Sequence, residues 1–305
     1  MGEIGMASRR TLSTILGLAA IALWSTTVAL SRSLAEQLGP LTSACLIYAL
    51  GGALGFGYQA QAGGLSIRSL GPRYLFGCGS LFVLYMASLY LGLGLARDRI
   101  QAMEVGLMNY LWPMLTLLFS VPILQMRASA ALIPGAVLAT GGVFLVTAQD
   151  RLLSGPSLPG SLLRNGVPYL LGLTAAVSWA LYSTLSRRWA GGTKGGAVPA
   201  FMLGTGAILG LARLLVPENT QWTGRAWLEL LYMVLGSNLA YAFWERAMRE
   251  GDLVLVAACS YLTPLLSTAI STLYLGVVPG ARFWIGCACV VMGAAVCKLA
   301  VREKV

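Results

Sequence analysis

The stretch MNYLWPMLT, residues 108–116, puts an amide, a phenol, an indole and a proline side by side inside one long apolar run. A proline within a helix has no N–H to donate and displaces the carbonyl four residues before it, which for Pro113 belongs to Asn109. At membrane depth an orphan carbonyl is costly, so such a break is tolerated where protein, polar side chains or cavity water supply a partner. The same words return later in the chain. NYLWPMLT at 109–116 is echoed by SYLTPLLS at 260–267, with Tyr110 on Tyr261 and Pro113 on Pro264, an offset of 151 residues. Here the freed carbonyl is that of Ser260.

The surroundings of both stretches are those of a membrane protein. Of 305 residues 57% are hydrophobic and 10% charged, with a mean hydropathy of +0.75, whereas soluble domains carry about 25% charge. The net charge of +10 does not point to nucleic acid, because the basic residues sit singly or in pairs between apolar runs. Six cysteines lie inside apolar runs without a CxxC spacing, and histidine is absent, so neither a metal site, a cofactor nor a disulfide framework is expected.

About 20 apolar residues cross a bilayer core, and on that scale the spans read 11–34, 41–60, 73–96, 100–122 and 129–148, then 167–189, 196–215, 226–248, 252–276 and 281–301. The first run is too long for a signal peptide and stays as a helix. The chain thus divides into a five-helix unit at 1–150, a linker at 151–166 and a second five-helix unit at 167–305. With the N-terminus cytoplasmic, 13 of the 21 basic residues fall inside, which places both termini in the cytoplasm.

The repeat extends beyond the opening stretch. The offset of 151 also superposes Tyr90 on Tyr241, Gly135 on Gly286 and Gly142 on Gly293, while the first helices of the halves align Trp24 with Trp179. Five helices per unit force the second unit to enter from the opposite side, so the repeat is inverted. That architecture is one of transporters, with the substrate site near the midplane.

Polar stripes mark the helix faces that could line such a site, since residues three, four and seven apart share a face. They are Trp24, Thr27 and Ser31; Tyr85, Ser88 and Gly92; Trp179, Tyr182 or Ser183, and Ser186; Asn238, Tyr241 and Glu245; Ser260, Thr263, Ser267 and Ser271. Interhelical packing is the competing explanation for hydroxyls. Trp24, Trp112 and Trp179 fall near span centres, although indoles favour the interface; as cavity walls they would offer surfaces for an aromatic side chain. No ionisable residue sits clearly at depth. Glu104 and Glu245 lie near helix ends, and Glu104 reads as a rim residue. The Gly51/Gly55 and Gly206/Gly210 pairs serve helix packing or a dimer contact, and a monomer is expected, a homodimer being the alternative.

With the paired YLWP and YLTP stretches, the tryptophan-bearing first helices and the small-residue fifth helices in view, the chain resembles the drug/metabolite transporter superfamily, in its ten-helix group with two EamA domains. MNYLWP is similar to its bacterial exporters of aromatic amino acids. The resemblance implies an all-α integral membrane protein of ten transmembrane helices, two inverted five-helix EamA repeats, in the inner membrane. It also implies a cavity lined by helices 1, 3, 4, 6, 8 and 9 and transport by alternating access.

The candidate substrate cavity is therefore Trp24, Thr27, Tyr85, Ser88, Asn109, Trp112, Trp179, Tyr182, Asn238, Tyr241, Ser260 and Thr263, with Pro113 and Pro264 as hinges. The expected partners are the lipid bilayer and a small neutral or zwitterionic solute. A carrier of another metabolite or drug is the nearest alternative. An intramembrane enzyme would need a positioned acid, base, nucleophile or metal, and Gly251-Asp252 stands in a charged loop without a partner.

Overall fold

A computed structural model describes residues 2–61, 71–147, 158–189, 197–250, 256 and 259–302. It is almost wholly helical. The helices are α1 (Gly2–Ser25), α2 (Thr27–Leu38), α3 (Pro40–Gln61), α4 (Gly79–Leu95, entered through a π-helical turn Arg73–Cys78), α5 (Arg99–Asn109) and α6 (Trp112–Leu124). They continue as α7 (Leu132–Thr147), α8 (Leu158–Trp189), α9 (Val198–Leu215), α10 (Gly224–Glu250), α11 (Thr263–Leu275) and α12 (Ala281–Ala300). A short antiparallel pair, β1 (Arg127–Ala128) and β2 (Val301–Arg302), joins the ends of α6 and α12. Among the described residues seven helical stretches are long and apolar enough to cross a membrane, Arg10–Leu38 and Arg99–Leu124 each comprising two helices in tandem.

Packing follows the repeat. The principal helix pairs are α1 with α10, α4 with α8, α3 with α9 and α7 with α12, so each joins one half of the chain to the other. Exchanging the halves turns the α1–α10 pair into the α8–α4 pair and leaves the other two pairs as they are. That is the behaviour of a pseudo-twofold axis. The glycines that the repeat aligns explain the α7–α12 contact, because a Cβ on Gly142 would lie 2.6 Å from the Gly286 carbonyl oxygen and one on Gly293 would lie 2.6 Å from that of Gly135. Only glycine lets these backbones approach so closely. Gly206 meets the Ala49 backbone in the same way, and Gly51 faces Met202 and Asn238, so these glycines pack α3, α9 and α10 within the fold.

Three tandem helices are interrupted. Between α5 and α6 the Leu111 N–H bonds the Met108 carbonyl, one residue tighter than a helix, and the ladder resumes with Leu115 to Leu111. The second half repeats this 151 residues on, with Leu262 to Cys259 and Leu266 to Leu262. Pro113 and Pro264 stand second in α6 and α11, where a missing N–H costs no intrahelical bond. The breaks thus fall ahead of the prolines. The third interruption divides the span read as one helix at 11–34: at Thr26 both the N–H and the hydroxyl donate to the Leu23 carbonyl, at 3.2 and 2.7 Å. In the second half α8 runs unbroken from Leu158, inside the segment read as linker.

Candidate functional site

The interruptions surround a partly open central cavity, the empty space within it and the open solvent at its mouth together amounting to about 810 Å³. α1 and α2 contribute Trp24 and Thr27, α4 contributes Tyr85, the α5–α6 junction Asn109 and Trp112, α8 Trp179, α10 Tyr241, and the start of α11 Ser260 and Thr263. Nine of the twelve residues selected from sequence thus share one cavity wall. Ser88, Tyr182 and Asn238 lie elsewhere, each for a definable reason. The cavity face of α4 runs through Tyr85, Met86, Leu89 and Tyr90, which turns Ser88 and Gly92 towards α8, where Gly92 meets Leu171 and the Pro168 carbonyl. Tyr182 stands behind Trp179, packed on Phe82 and Phe201. Asn238 donates to the Val234 carbonyl at 2.9 Å and abuts Gly51 and Gly55 of α3, while Ser237, Tyr241 and Trp244 present the cavity face of α10. The side chain of Glu245 and the Gly251-Asp252 pair lie outside the described residues.

The residues missed from sequence are chiefly aromatic: Tyr48, Tyr90, Tyr110 and Trp244, with Met86 and Ser237. Tyr90 could have been found, since the repeat aligns it with Tyr241. Trp179 is the hub, with ring centroids of Tyr85, Tyr182, Phe82, Trp112 and Tyr241 at 4.6, 5.1, 6.3, 6.4 and 6.4 Å. Its repeat partner Trp24 meets Trp244 at 5.1 Å and Tyr241 at 5.7 Å. Tyr48 packs edge-on to Tyr90 and donates to the Met86 sulfur at 2.9 Å. Among the described residues no lining side chain is charged, so the cavity is aromatic walls with a few amide and hydroxyl groups. Such a site favours a flat, apolar group carrying a small polar end.

The Ser260 carbonyl, which Pro264 was expected to orphan, accepts a hydrogen bond from the Thr263 hydroxyl at 2.6 Å. In the first half the matching position is Trp112, which has no such hydroxyl. Asn109 is 4% exposed, its side chain meets the Tyr85 hydroxyl, and its Oδ1 has no hydrogen-bond partner.

About one to three helical turns beyond the cavity-lining residues, charged groups tie the bundle together. Arg32, 8% exposed, donates to Glu36 at 2.9 Å and to the carbonyls of Leu93 and Ala96 at the end of α4. Arg99 of α5 donates to Glu36 at 2.8 Å and to the Leu275 carbonyl of α11 at 2.6 Å. Glu229 of α10, 4% exposed, accepts from Ser33, Gln37, Arg225 and Tyr274 at 2.8, 3.0, 2.6 and 2.5 Å. This network therefore joins α2, α4, α5, α10 and α11. Nearby, Glu218 accepts from the Leu41 and Thr42 N–H groups at 2.8 Å, an anion at the start of α3. Glu104, read as a rim residue, accepts from the Tyr169 hydroxyl of α8. Away from that network, Gly17 of α1 packs on Ala247 of α10, and Arg188 of α8 donates to the Ile123 carbonyl of α6 at 3.1 Å.

A helical membrane fold of two exchanged halves around an uncharged central cavity defines a solute transporter. The EamA-like transporter family model matches the chain twice, over residues 11–148 and 166–298. The chain belongs to that family and is a multi-pass protein of the inner membrane. It is 35% identical over 293 residues to the aromatic amino acid exporter YddG of Salmonella typhimurium strain 14028s, covering 96% of this chain and 98% of that one. It is 35% identical to the YddG of Escherichia coli K12 over 95% of this chain and 98% of that one, and 33% identical to that of Ancylobacter novellus over 96% and 99%. A solved crystal structure superposes with a TM-score of 0.68 at 32% identity, covering 95% of this chain and 98% of the other.

Proposed function

We propose that this protein exports aromatic or other large apolar amino acids across the inner membrane by alternating access. The observation that carries the reading is the cavity itself, uncharged and walled by Trp24, Trp112, Trp179 and Tyr241. The relatives named as aromatic amino acid exporters support it. An indole or phenyl side chain would lie among the rings, and Asn109, Thr27, Ser260 and Thr263 would meet its polar end. Ten helices in two inverted repeats, 1–150 and 167–305 about a linker at 151–166, with both termini cytoplasmic, complete the architecture, as a monomer and not an enzyme.

In that topology the Arg32–Glu36–Arg99 and Glu229 clusters close the extracytoplasmic end. Release then requires α2 and α5 to part from α10 and α11, and the junctions ahead of Pro113 and Pro264 are where those segments can swing. The test is counterflow in liposomes with a panel of labelled amino acids. Aromatic amino acids should exchange, and Trp112→Ala and Trp179→Ala should slow them. Exchange of another metabolite in their place overturns the substrate reading, and transport unaltered after alanine replaces both prolines overturns the hinges.

A further inference from the structure

We infer that the cavity reads the zwitterionic end of its substrate: the Asn109 carboxamide takes the α-ammonium group, and the adjoining helix starts at Trp112 and Thr263 take the α-carboxylate. The inference rests on the amino-acid reading above and adds the groups that distinguish an amino acid from an aromatic acid or amine.

Two independent features meet at this point. Asn109 is the last residue of α5, it lines the cavity, and at 4% exposure its Oδ1 lacks any partner. A buried acceptor left unpaired is costly, and the penalty is relieved when a ligand donor arrives. The terminal torsion of a carboxamide is soft, so rotation about it can turn the oxygen into the cavity. An ammonium group offers three donors and suits this acceptor better than water does.

The second feature is the pair of helix starts. α6 and α11, each of 13 residues, begin at the cavity-lining residues Trp112 and Thr263, and their N-caps are Leu111 and Leu262, which form no side-chain cap. Helices normally cap such starts with Ser, Thr, Asp or Asn. Such starts carry partial positive charge and, although Pro113 and Pro264 at the second position offer no N–H, the first and third residues do, which suits a carboxylate. α5 ends at Asn109 three residues before α6 begins, and Trp112 and Thr263 share a second small pocket, so Asn109 and the two helix starts are neighbours in the cavity wall. No charged side chain is needed, and none lines the cavity among the described residues.

The test is competition against labelled phenylalanine in counterflow, using 3-phenylpropionate, which lacks the ammonium, and 2-phenylethylamine, which lacks the carboxylate. Neither should compete within about tenfold of unlabelled phenylalanine, a hydrogen bond to a charged group being worth about that much. Asn109→Leu should weaken phenylalanine competition by about tenfold or more and leave 3-phenylpropionate unchanged. Asn109→Asp, which keeps the acceptor, should restore phenylalanine. Equal losses for both ligands in Asn109→Leu, or 3-phenylpropionate competing as well as phenylalanine in the wild type, would overturn the inference. Should a non-aromatic amino acid be the one that exchanges, the aromatic reading fails while the same comparison, run with that amino acid and its deaminated analogue, still decides the role of Asn109. Transport confined to solutes that are not amino acids overturns both.

Discussion

The two tryptophan-bearing helices of the repeats answer the same sequence pattern with different backbones. In the first half the helix is cut at Thr26, where no proline occurs, into α1 and α2; in the second, α8 runs for 32 residues straight through Pro168. Proline therefore neither caused the break nor produced one. Thr26 lies between Trp24 and Thr27, both on the cavity, and its hydroxyl satisfies a carbonyl of the interrupted ladder. Trp179 instead stands among five other rings on an unbroken helix. The lesson is that a break survives in a membrane where its loosened backbone groups find partners, whatever residue type stands there. Pseudo-symmetric halves can thus differ in their backbones, one wall built on a broken helix and the other on a continuous one.

That contrast can be broken by mutation. Truncating a central aromatic anchor costs roughly 2 to 4 kcal/mol, so Trp179→Ala should lower counterflow of aromatic amino acids about a hundredfold, and Trp24→Ala, which loses two ring contacts, by nearer tenfold. If Trp24→Ala is the more damaging, the wall on the unbroken helix is not the principal one. Next in size is the closure. Glu229→Ala leaves Ser33, Gln37, Arg225 and Tyr274 without their shared acceptor; Arg225 is half exposed and can turn to water, so a loss of about 1 to 3 kcal/mol is expected from the buried donors left unpaired, read as a lowered melting temperature in detergent. Glu229→Gln should recover part of it.

Smaller effects test the two proline junctions against each other. Thr263→Val removes the bond to the Ser260 carbonyl and should cost about 1 to 2 kcal/mol, while Thr263→Ser should be nearly neutral in the same melting experiment. The smallest change is expected at Pro168. Since α8 already passes through it unbroken, Pro168→Ala should leave counterflow rates within about twofold; a large loss would mean that this proline shapes the second half after all.

Much of the candidate site was legible because the repeat is written in large, rare residues. Trp24, Trp112, Trp179 and Tyr241 were recoverable from position and pairing, and Tyr90 would have followed from the same offset. Ser88, Tyr182 and Asn238 were misassigned because a stripe on a helix says which residues share a face, not which neighbour that face meets. Gly92 against α8 and Gly51 against Asn238 decide those rotations, and both are contacts between distant parts of the chain. Trp244 and Tyr48 escaped notice for the same reason.

Apolar run length and repeated spacing alone establish a helical membrane protein built as a duplicated unit, since both are local quantities that the bilayer and the helix convert directly into spans and faces. Where the helices break, which tyrosines reach the cavity and which helices Arg32, Glu36, Arg99 and Glu229 tie together emerge with the tertiary fold. Those outcomes depend on hydrogen bonds and side-chain packing between residues far apart in the chain, and no local spacing encodes them.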